Sequence, residues 1–274
     1  MKFKIRASAI HNIMAPLKNQ ITEAQLAKIA ELEARDKALT PKMQETYDEL
    51  VAKKNHIPTY KDLPDGAVKY AESWVKNQLY KKSRIYLSNK FTEKGVTVED
   101  DIIKYLNPAY TNNKEQFENE WITGEPDIII KKTKTLRDVK SSWDYDTFPL
   151  FEKELPNKDY YWQGLGYMDL LGYKKYFVDY VLSDTPEYLI EKEYWKEFGV
   201  GPEEPIQLAI AKKTYTTHYK EFRKDYLYND TSRELRIKTF EVKYDSEAIQ
   251  SIHDRVELIR ELIKNEYDKP NQSK

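Results

Sequence analysis

The hydrophobic period of the chain changes after Pro108, and this change constrains the fold more than any other feature. Before it, apolar residues recur at intervals of three and four, which is the spacing of amphipathic helices. After it, residues 117–122, 128–131 and 136–141 form short apolar or alternating runs, which are typical of consecutive strands joined by short turns. A helical first half followed by closely spaced strands predicts an α/β or α+β fold, with one central mixed β-sheet flanked by helices.

Capping signals bound the helices near the N-terminus. Thr22 and Gln25 form a capping-box pattern, and Thr40 precedes Pro41, so residues 22–54 are predicted to be a helical hairpin. Hydrophobic periods predict the other elements: helices at 65–81, 91–106, 159–171, 186–198 and from Ser246 onward, and strands at 175–182, 206–215 and 235–244. Because no internal repeat and no Gly/Ser-rich linker interrupts this order, we expect a single domain over 1–274.

Composition excludes several classes of protein. The chain contains no cysteine, which excludes disulfides, thiolate zinc sites and iron–sulfur clusters and fits a reducing cytoplasm. No apolar run is long enough to span a membrane, so we expect a cytoplasmic protein with no membrane partner. A net charge of −1 argues against a general nucleic-acid coat protein but not against an enzyme with a local basic channel.

Positive charge is unevenly distributed along the sequence. Basic residues group near the N-terminus and at two later places: Lys2, Lys4, Arg6 and Lys18; Lys81, Lys82 and Arg84; Lys131, Lys132, Lys134 and Arg137. For any one group taken alone, a solvated protein surface is the simpler interpretation, and a nucleic-acid contact is the alternative.

The most informative chemistry lies around Asp127 and the segment Asp138-Val139-Lys140. Residues 138 and 140 are two apart on a predicted strand, so both side chains leave the same face. Asp127 lies at the start of the preceding strand and would be adjacent if the two strands pair as a hairpin. Two carboxylates and an ammonium would then meet. A short D-x-K pattern is common, and the alternative is an ordinary cross-strand ion pair on an exposed hairpin.

This set of groups suits phosphodiester hydrolysis. Carboxylates, helped by the backbone carbonyl of Val139, hold Mg²⁺, which neutralises phosphate charge and lowers the pKa of a bound water. A lysine orients that water or stabilises the transition state. Glu99, in the G-x-x-x-E stretch that starts at Gly95, could direct a further carboxylate toward the metal; helix solubility is the alternative. Gln163 and Tyr167 share one face of the following helix, where they could support the site or simply pack there.

The ordered set of these motifs resembles a known family. Gly95-x-x-x-Glu99, Pro126-Asp127, Asp138-x-Lys140 and Gln163-x-x-x-Tyr167 are similar to the motifs of the phage λ exonuclease and YqaJ-type branch of the PD-(D/E)xK nucleases. The resemblance covers residues 95–182, the expected catalytic core. It implies a restriction-endonuclease-like core, to which the 22–54 hairpin is added without a counterpart that we can match.

The resemblance also implies a function. Such enzymes degrade one strand of linear duplex DNA from its 5′ end with Mg²⁺, for which Mn²⁺ can substitute, and they serve phage or prophage recombination beside a single-strand annealing protein. Asp127 and Asp138 would be metal ligands, Glu99 a further or water-mediated ligand, and Lys140 the residue that activates water. Gln163 and Tyr167 would support the site. By position and residue type, Arg6 and Ser8 resemble the residues that bind the DNA 5′-phosphate.

Other functions remain open at this point. The same fold serves structure-specific and restriction-type endonucleases, and a chain that kept the fold without catalysis would only bind DNA ends. No G-x-x-x-x-G-K-[ST] motif is present, so we expect no NTP-driven motor in this chain. The hairpin puts ring-shaped trimer assembly in doubt and leaves a homo-oligomer as an open expectation.

Overall fold

The computed structural model describes residues 2–82, 89–198 and 218–268. The predicted strand 206–215 and Arg84 of the second basic group lie outside these ranges. The chain divides into two compact units, one comprising Met1–Arg84 with Glu247–Lys274 and the other Ile85–Ser246. The single-domain organisation stays a prediction.

The first unit is largely helical. It contains β1 (Ile5–Arg6), a 3-10 helix (Ala7–Ile13), α1 (Glu23–Glu33), α2 (Pro41–Lys54) and α3 (Asp65–Tyr80). The predicted hairpin helices are confirmed with their caps, because Thr22 and Gln25 form the capping box and Thr40 accepts the amide of Met43. Near the C-terminus, the long helix Ser246–Leu262 buries Ile252, Val256 and Ile259. Its Arg255 donates to the carbonyls of Ile13 and Ala15 at 2.7 and 2.8 Å, which ties it to the N-terminal segment.

Within its described residues, the second unit is built on a four-stranded mixed sheet, which confirms the predicted fold class. In chain order it contains α4 (Lys90–Leu106), β2 (Phe117–Glu118), β3 (Ile122–Gly124), β4 (Ile128–Ile130), β5 (Thr135–Ser141), α5 (Asp159–Leu171), β6 (Lys175–Val181), α6 (Glu187–Phe198) and β7 (Ile237–Lys243). The sheet order is β4-β5-β6-β7, with β5 and β6 parallel and the other two pairs antiparallel. The helix Ser246–Leu262 of the first unit is therefore α7.

Two helices cover opposite faces of β5. Apolar residues of α4 pack on the face of the odd-numbered residues, and the cluster consists of Val98, Ile102, Ile103, Ile128, Val139 and Val181. On the opposite face, Gly164 of α5 lies directly over the ring of Tyr176 in β6. Because Asp138 and Lys140 are even-numbered, they face α5. The 3.6-residue period of both helices thus places polar groups of α5 against the strand positions that carry charge.

One predicted strand is wrong. We expected a continuous strand over 117–122, but the chain turns within it and forms an antiparallel β2–β3 hairpin. The side-chain oxygen of Asn119 accepts hydrogen bonds from the backbone amides of Trp121 and Ile122 at 2.9 and 2.7 Å. The backbone amide of Asn119 donates to the Ile122 carbonyl. This local turn competes successfully with extension, as Asn side chains commonly do. In the ranges that the structure describes, the β2–β3 hairpin belongs to a separate sheet from β4-β5-β6-β7.

Candidate active site

Asp138 and Lys140 form an ion pair on one face of β5. The Lys140 ammonium contacts the Asp138 carboxylate, which is 1% exposed, while the lysine side chain keeps 22% of its surface exposed. The ring of Tyr160 lies 4.5 Å from the Lys140 nitrogen and adds a cation–π contact. The contact is to Oδ2 of Asp138, which within the described ranges has no other hydrogen-bond partner. The pair is therefore buried on its acidic side and open on its basic side.

The β4–β5 hairpin brings Asp127 to this pair, as the sequence predicts. Ile128 is opposite Arg137, so the preceding residue, Asp127, lies beside the later part of β5. The Asp127 carboxylate accepts the Val139 amide at 2.7 Å. Asn113 fixes the same segment, because its amide donates to the Asp127 carbonyl and its side chain to the Pro126 carbonyl, at 2.7 and 3.0 Å. Hydrogen bonds thus hold both the carboxylate of Asp127 and the backbone around it.

The pKa values of Asp127 and Lys140 are both raised by their surroundings. Burial and the Asp138 carboxylate raise the pKa of Asp127 well above its usual value, against opposing effects of Lys140 and the Val139 amide. Burial lowers the pKa of Lys140, but Asp138 and Asp127 raise it more, so that it lies above its ordinary value. The ammonium therefore stays charged while two carboxylates compete for it.

The Gln163 and Tyr167 side chains are buried next to this cluster. Gln163 donates to the Tyr167 hydroxyl at 3.2 Å, and that hydroxyl donates to the Glu125 carbonyl at 3.0 Å. Burial and the nearby Asp138 raise the pKa of Tyr167. The helix face predicted from the four-residue spacing therefore connects α5 to the backbone just before Asp127.

Glu99 lies on α4 near Asp127, but its carboxylate is hydrogen-bonded to other residues. Asn112 and Lys114 donate to the same Glu99 oxygen at 2.5 and 3.2 Å. Sequence reasoning missed both residues, which lie in the irregular loop before β2 and carry no periodic signal. Burial is the main cause of the raised pKa of Asp127, and the Glu99 carboxylate adds to it.

A cavity of about 420 Å³ lies at the C-terminal end of β5, and Glu99, Asp127 and Lys140 are among the residues that line it. Its lining combines charged, small polar and aromatic side chains: Phe91, Gly95, Val96, Glu99, Asp127, Lys140, Ser141, Ser142, Trp143, Tyr160 and Tyr180. The convergence of acidic groups, a lysine and aromatic rings in one open cavity is the arrangement expected of a binding or catalytic site.

The donor set fits a hard divalent cation. Asp127 and Asp138 supply carboxylate oxygens, and the Val139 carbonyl leaves β5 on the same side as its amide, which points at Asp127. Burial and the neighbouring Asp138 carboxylate raise the pKa of Asp127, and a bound cation would oppose both effects. Among the described residues no three acidic or histidine side chains lie close enough to form a metal site alone. Direct ligation by Glu99 stays a prediction, and water is needed to complete the coordination.

Lys94 is a buried cation that sequence reasoning did not single out. It is 1% exposed, and its ammonium donates to the carbonyls of Ser142, Trp143 and Ser183 at 2.7, 2.9 and 2.8 Å. Burial lowers the pKa of Lys94 to about 7, while Asp144 and Asp184 oppose that shift. Three acceptors match the three N–H groups of an ammonium and fix the segments that follow β5 and β6. The sequence does contain a sign of this burial, because Lys94 is four residues before Val98 and therefore lies on the apolar face of α4.

Gly164 is a second residue that sequence reasoning missed. A Cβ atom at this position would meet Cδ1 and Cε1 of Tyr176 at 2.5 and 2.6 Å, so only glycine lets α5 approach β6 this closely. The hydroxyl of Tyr176 is buried and has no hydrogen-bond partner among the described residues. The absence of a side chain at Gly164 lets the helix that carries Gln163 and Tyr167 pack directly against the Tyr176 ring.

Arg6 and Ser8 lie in the first unit, Arg6 at the end of β1 and Ser8 within the following 3-10 helix. Both are exposed. Their proposed contact with a DNA 5′-phosphate stays a prediction. Among the described helices, none combines the length and apolarity that a membrane crossing requires.

Comparison with known proteins establishes the fold. A phage-related exonuclease from Haemophilus somnus 129PT superposes with a TM-score of 0.62 at 24% identity, over 94% of this chain and 92% of that chain. An alkaline exonuclease, LHK-Exo from Laribacter hongkongensis, gives a TM-score of 0.49 at 10% identity over 93% of each chain. No family model and no curated protein matches this chain. The first likeness confirms that the fold expected from the motifs is that of an exonuclease of known structure.

Proposed function

We propose that this chain is a Mg²⁺-dependent DNA exonuclease that hydrolyses phosphodiester bonds from the ends of linear duplex DNA. The observation that carries the proposal is the convergence of Asp127, Asp138 and Lys140 at one end of β5, beside an open cavity. The shared fold with a protein described as a phage-related exonuclease supports the reaction class. Degradation from the 5′ end, a role in phage recombination with an annealing partner, and a cytoplasmic location belong to the same proposal.

Each residue of the cluster has a task in this reaction. Asp127, Asp138 and the Val139 carbonyl would hold Mg²⁺, which when bound neutralises phosphate charge and lowers the pKa of a coordinated water. Mn²⁺, with similar preferences for oxygen ligands, would substitute for it. Lys140 is kept charged by its acidic neighbours and is exposed on one side, so it can approach a non-bridging phosphate oxygen or orient the attacking water.

Neighbouring residues keep this geometry rigid. Tyr167 holds the Glu125 carbonyl and Asn113 holds the Asp127 backbone, while the Val139 amide donates to the Asp127 carboxylate itself and favours its position beside Asp138. The Tyr160 ring limits the movement of the Lys140 ammonium. Rigid placement matters because small displacements of reacting groups cost large factors in rate.

Digestion of one plasmid in linear and closed-circular form tests the proposal. We expect loss of the linear form with Mg²⁺ or Mn²⁺, no loss with EDTA, and survival of the circle. Asp138→Asn serves as the inactive control. Cutting of circles would indicate an endonuclease instead, and intact linear DNA in every condition would indicate a protein that only binds DNA.

Substrates labelled at one end would then test the finer claims. Release of label from the 5′ end before the 3′ end is expected. Faster degradation of 5′-phosphorylated ends than of 5′-hydroxyl ends is expected if Arg6 and Ser8 bind the phosphate, and equal rates for both ends would remove that role.

A further inference from the structure

Six lysines of the second unit meet at the end of the sheet opposite to the candidate active site. The turn between β4 and β5 contributes three, the start of β6 two, and the end of β7 one. We call this set the lysine edge: Lys131, Lys132, Lys134, Lys174, Lys175 and Lys243. All six are exposed. The sequence shows only its first part as a cluster, because sheet pairing is needed to bring the three segments together.

Strand register places like charges directly opposite one another in this edge. Lys175 of β6 pairs with Lys243 of β7, and Thr135, next to Lys134, pairs with Lys175 on its other side. Directly opposed like charges destabilise a sheet. Glu241 is diagonal to Lys175 on the same face, yet no ion pair forms between them within the described ranges. The repulsion between the two lysines is therefore not offset locally.

The rest of the lysine edge is equally uncompensated. In the part of the chain that the structure describes, none of the six lysines has an ion-pair partner, although Lys174 contacts the Tyr244 ring at 5.0 Å. Arg137, which follows the same turn in sequence, is excluded from the edge because both its guanidinium contacts go to the buried Asp179. Within the described part of the chain, the positive charge of the lysine edge is therefore exposed and is not neutralised by a neighbouring carboxylate.

We propose that the lysine edge is a second, sequence-independent contact for the phosphate backbone of nucleic acid. This inference rests on the proposed nuclease function. A chain with a net charge of −1 attracts a polyanion only through local concentrations of positive charge, and the candidate site itself is rich in carboxylates. Flexible ammonium groups neutralise phosphates without reading bases, whereas arginine forks would suit fixed bidentate contacts.

The position of the edge sets a length requirement for the DNA. Thr135 and Lys140 are five residues apart on β5, so the edge lies about 17 Å from the catalytic lysine at roughly 3.3 Å per residue. This distance corresponds to about five base pairs of duplex at 3.4 Å per pair. DNA shorter than this would engage only the active site, while longer DNA would also engage the lysines.

Binding of hairpin oligonucleotides tests this length requirement without catalysis. Fluorescence anisotropy in EDTA would compare stems of about 3 and about 20 base pairs over a series of salt concentrations. The variant is Lys131→Ser, Lys132→Ser, Lys134→Asn, with asparagine chosen because residue 134 has φ of 49°. The matched control removes three exposed lysines elsewhere: Lys37→Ser, Lys196→Ser and Lys220→Ser.

The expected result has three parts. The variant binds the long stem about tenfold more weakly and shows a slope of log affinity against log salt that is shallower by about three, since each lost phosphate contact removes about 0.9. It binds the short stem as the wild type does. The control variant keeps the wild-type affinity and slope for both stems.

Two outcomes would overturn the proposal. Wild-type affinity and slope of the variant on the long stem would exclude a nucleic-acid contact, and loss of binding to polyglutamate in that case would assign the edge to an acidic protein partner. A lower melting temperature of Lys175→Gln/Lys243→Gln than of the wild type would show that these lysines stabilise the fold. Failure of the nuclease proposal is read separately, as absence of hydrolysis of either stem by the wild type with Mg²⁺.

Discussion

Two ion pairs lie on opposite faces of the same strand, and they differ in how completely they are satisfied. On one face of β5, Arg137 binds Asp179 with two hydrogen bonds of 2.6 Å, and Thr239 donates a third at 2.6 Å. On the other face, Lys140 contacts Asp138 through one ammonium, and a second carboxylate, Asp127, adds repulsion. Both acidic partners are almost completely buried, at 0% and 1% exposure.

We call Arg137–Asp179 the structural pair, and we call Lys140–Asp138 the functional pair because the proposed reaction would use it. A buried carboxylate is tolerated when hydrogen bonds replace the water that it loses, and the Asp179 set achieves this. Around Asp138 the compensation is incomplete, because one ammonium, which contacts Oδ2 of Asp138, serves two carboxylates. Incomplete compensation costs stability, and it leaves negative charge available for a cation.

Removing the Lys140 ammonium from the functional pair should have the largest effect on activity. We expect Lys140→Ala to lower kcat by about 1000-fold or more, because the group that stabilises charge on the phosphate is lost. Mg²⁺ binding, measured by calorimetry, and DNA binding should persist, since the carboxylates and the basic surfaces remain. Substantial turnover by a folded Lys140→Ala protein would contradict the assignment of this lysine.

The same change in the structural pair should affect stability instead. Arg137→Met leaves the carboxylate of Asp179 buried without its partner, so we expect a loss of about 3–5 kcal/mol in the free energy of unfolding. The fraction that remains folded should keep kcat within about twofold, because Arg137 is on the face away from Lys140. Urea denaturation and active-fraction kinetics measure the two quantities.

A double variant sharpens this result. Replacing both partners, as in Arg137→Met/Asp179→Leu, removes the stranded charge and should cost less than Arg137→Met alone. An activity loss of tenfold or more with unchanged stability in Arg137→Met would remove the distinction between the two pairs.

The sequence predicts contacts between residues that are close together in the chain, and it does not predict contacts between residues that are far apart. The period of two places Asp138 and Lys140 on one face, and a short hairpin brings Asp127 to them, so sequence spacing sufficed for the functional pair. The Arg137–Asp179 pair depends on the register of two parallel strands joined through α5, and nothing local in the sequence fixes that register.

The same limit explains what was missed around the site. Asn112 and Lys114 reach Glu99 from an irregular loop, where no periodicity predicts direction. The strand predicted over 117–122 failed because a side chain closed a turn that apolar content did not reveal. Gly164 looks like an unfavourable residue in a helix and becomes understandable only when Tyr176 is seen beneath it.

Contact between Gly164 and Tyr176 should have an intermediate effect, felt on both properties. Gly164→Ala forces α5 away from β6 and carries Gln163 and Tyr167 with it. We expect a loss of about 1–3 kcal/mol in stability and of about tenfold to 100-fold in kcat. The measurements are urea denaturation and steady-state kinetics on linear DNA.

Rescue distinguishes displacement of the helix from a local defect. In Gly164→Ala/Tyr176→Val the ring is absent, so kcat should recover toward the value of Tyr176→Val alone. Tyr176→Phe is the control, because it removes a buried hydroxyl for which the described residues offer no hydrogen bond, and it should leave stability unchanged or slightly higher. Lack of any recovery in the double variant would show that α5 is not positioned by this contact.

The smallest effects should appear as opposite pH dependences of two aspartates. Burial raises the pKa of Asp62 in the first unit, but hydrogen bonds from His56, Thr59 and Asn19 outweigh it and lower the pKa to about 2. Its contribution to stability is therefore present above its usual pKa and is lost as pH falls through about 2, an effect of about 2 kcal/mol. Asp127 has a raised pKa, so without metal the protein should lose stability as pH rises from the usual value of an aspartate through that raised pKa.

Asparagine substitutions separate the two contributions. In EDTA, Asp127→Asn should melt at a higher temperature than the wild type at neutral pH and should flatten the decline above pH 4, by at most about 1.4 kcal/mol per pH unit. Asp62→Asn should melt at a lower temperature at neutral pH, with the difference vanishing in strong acid. Mg²⁺ should raise the melting temperature of the wild type and not that of Asp127→Asn, since the cation supplies the charge that the two carboxylates lack. A wild type whose stability rises with pH through the neutral range, and equally in Asp127→Asn, would show that Asp127 is compensated like Asp179, and the contrast between the two faces of β5 would disappear.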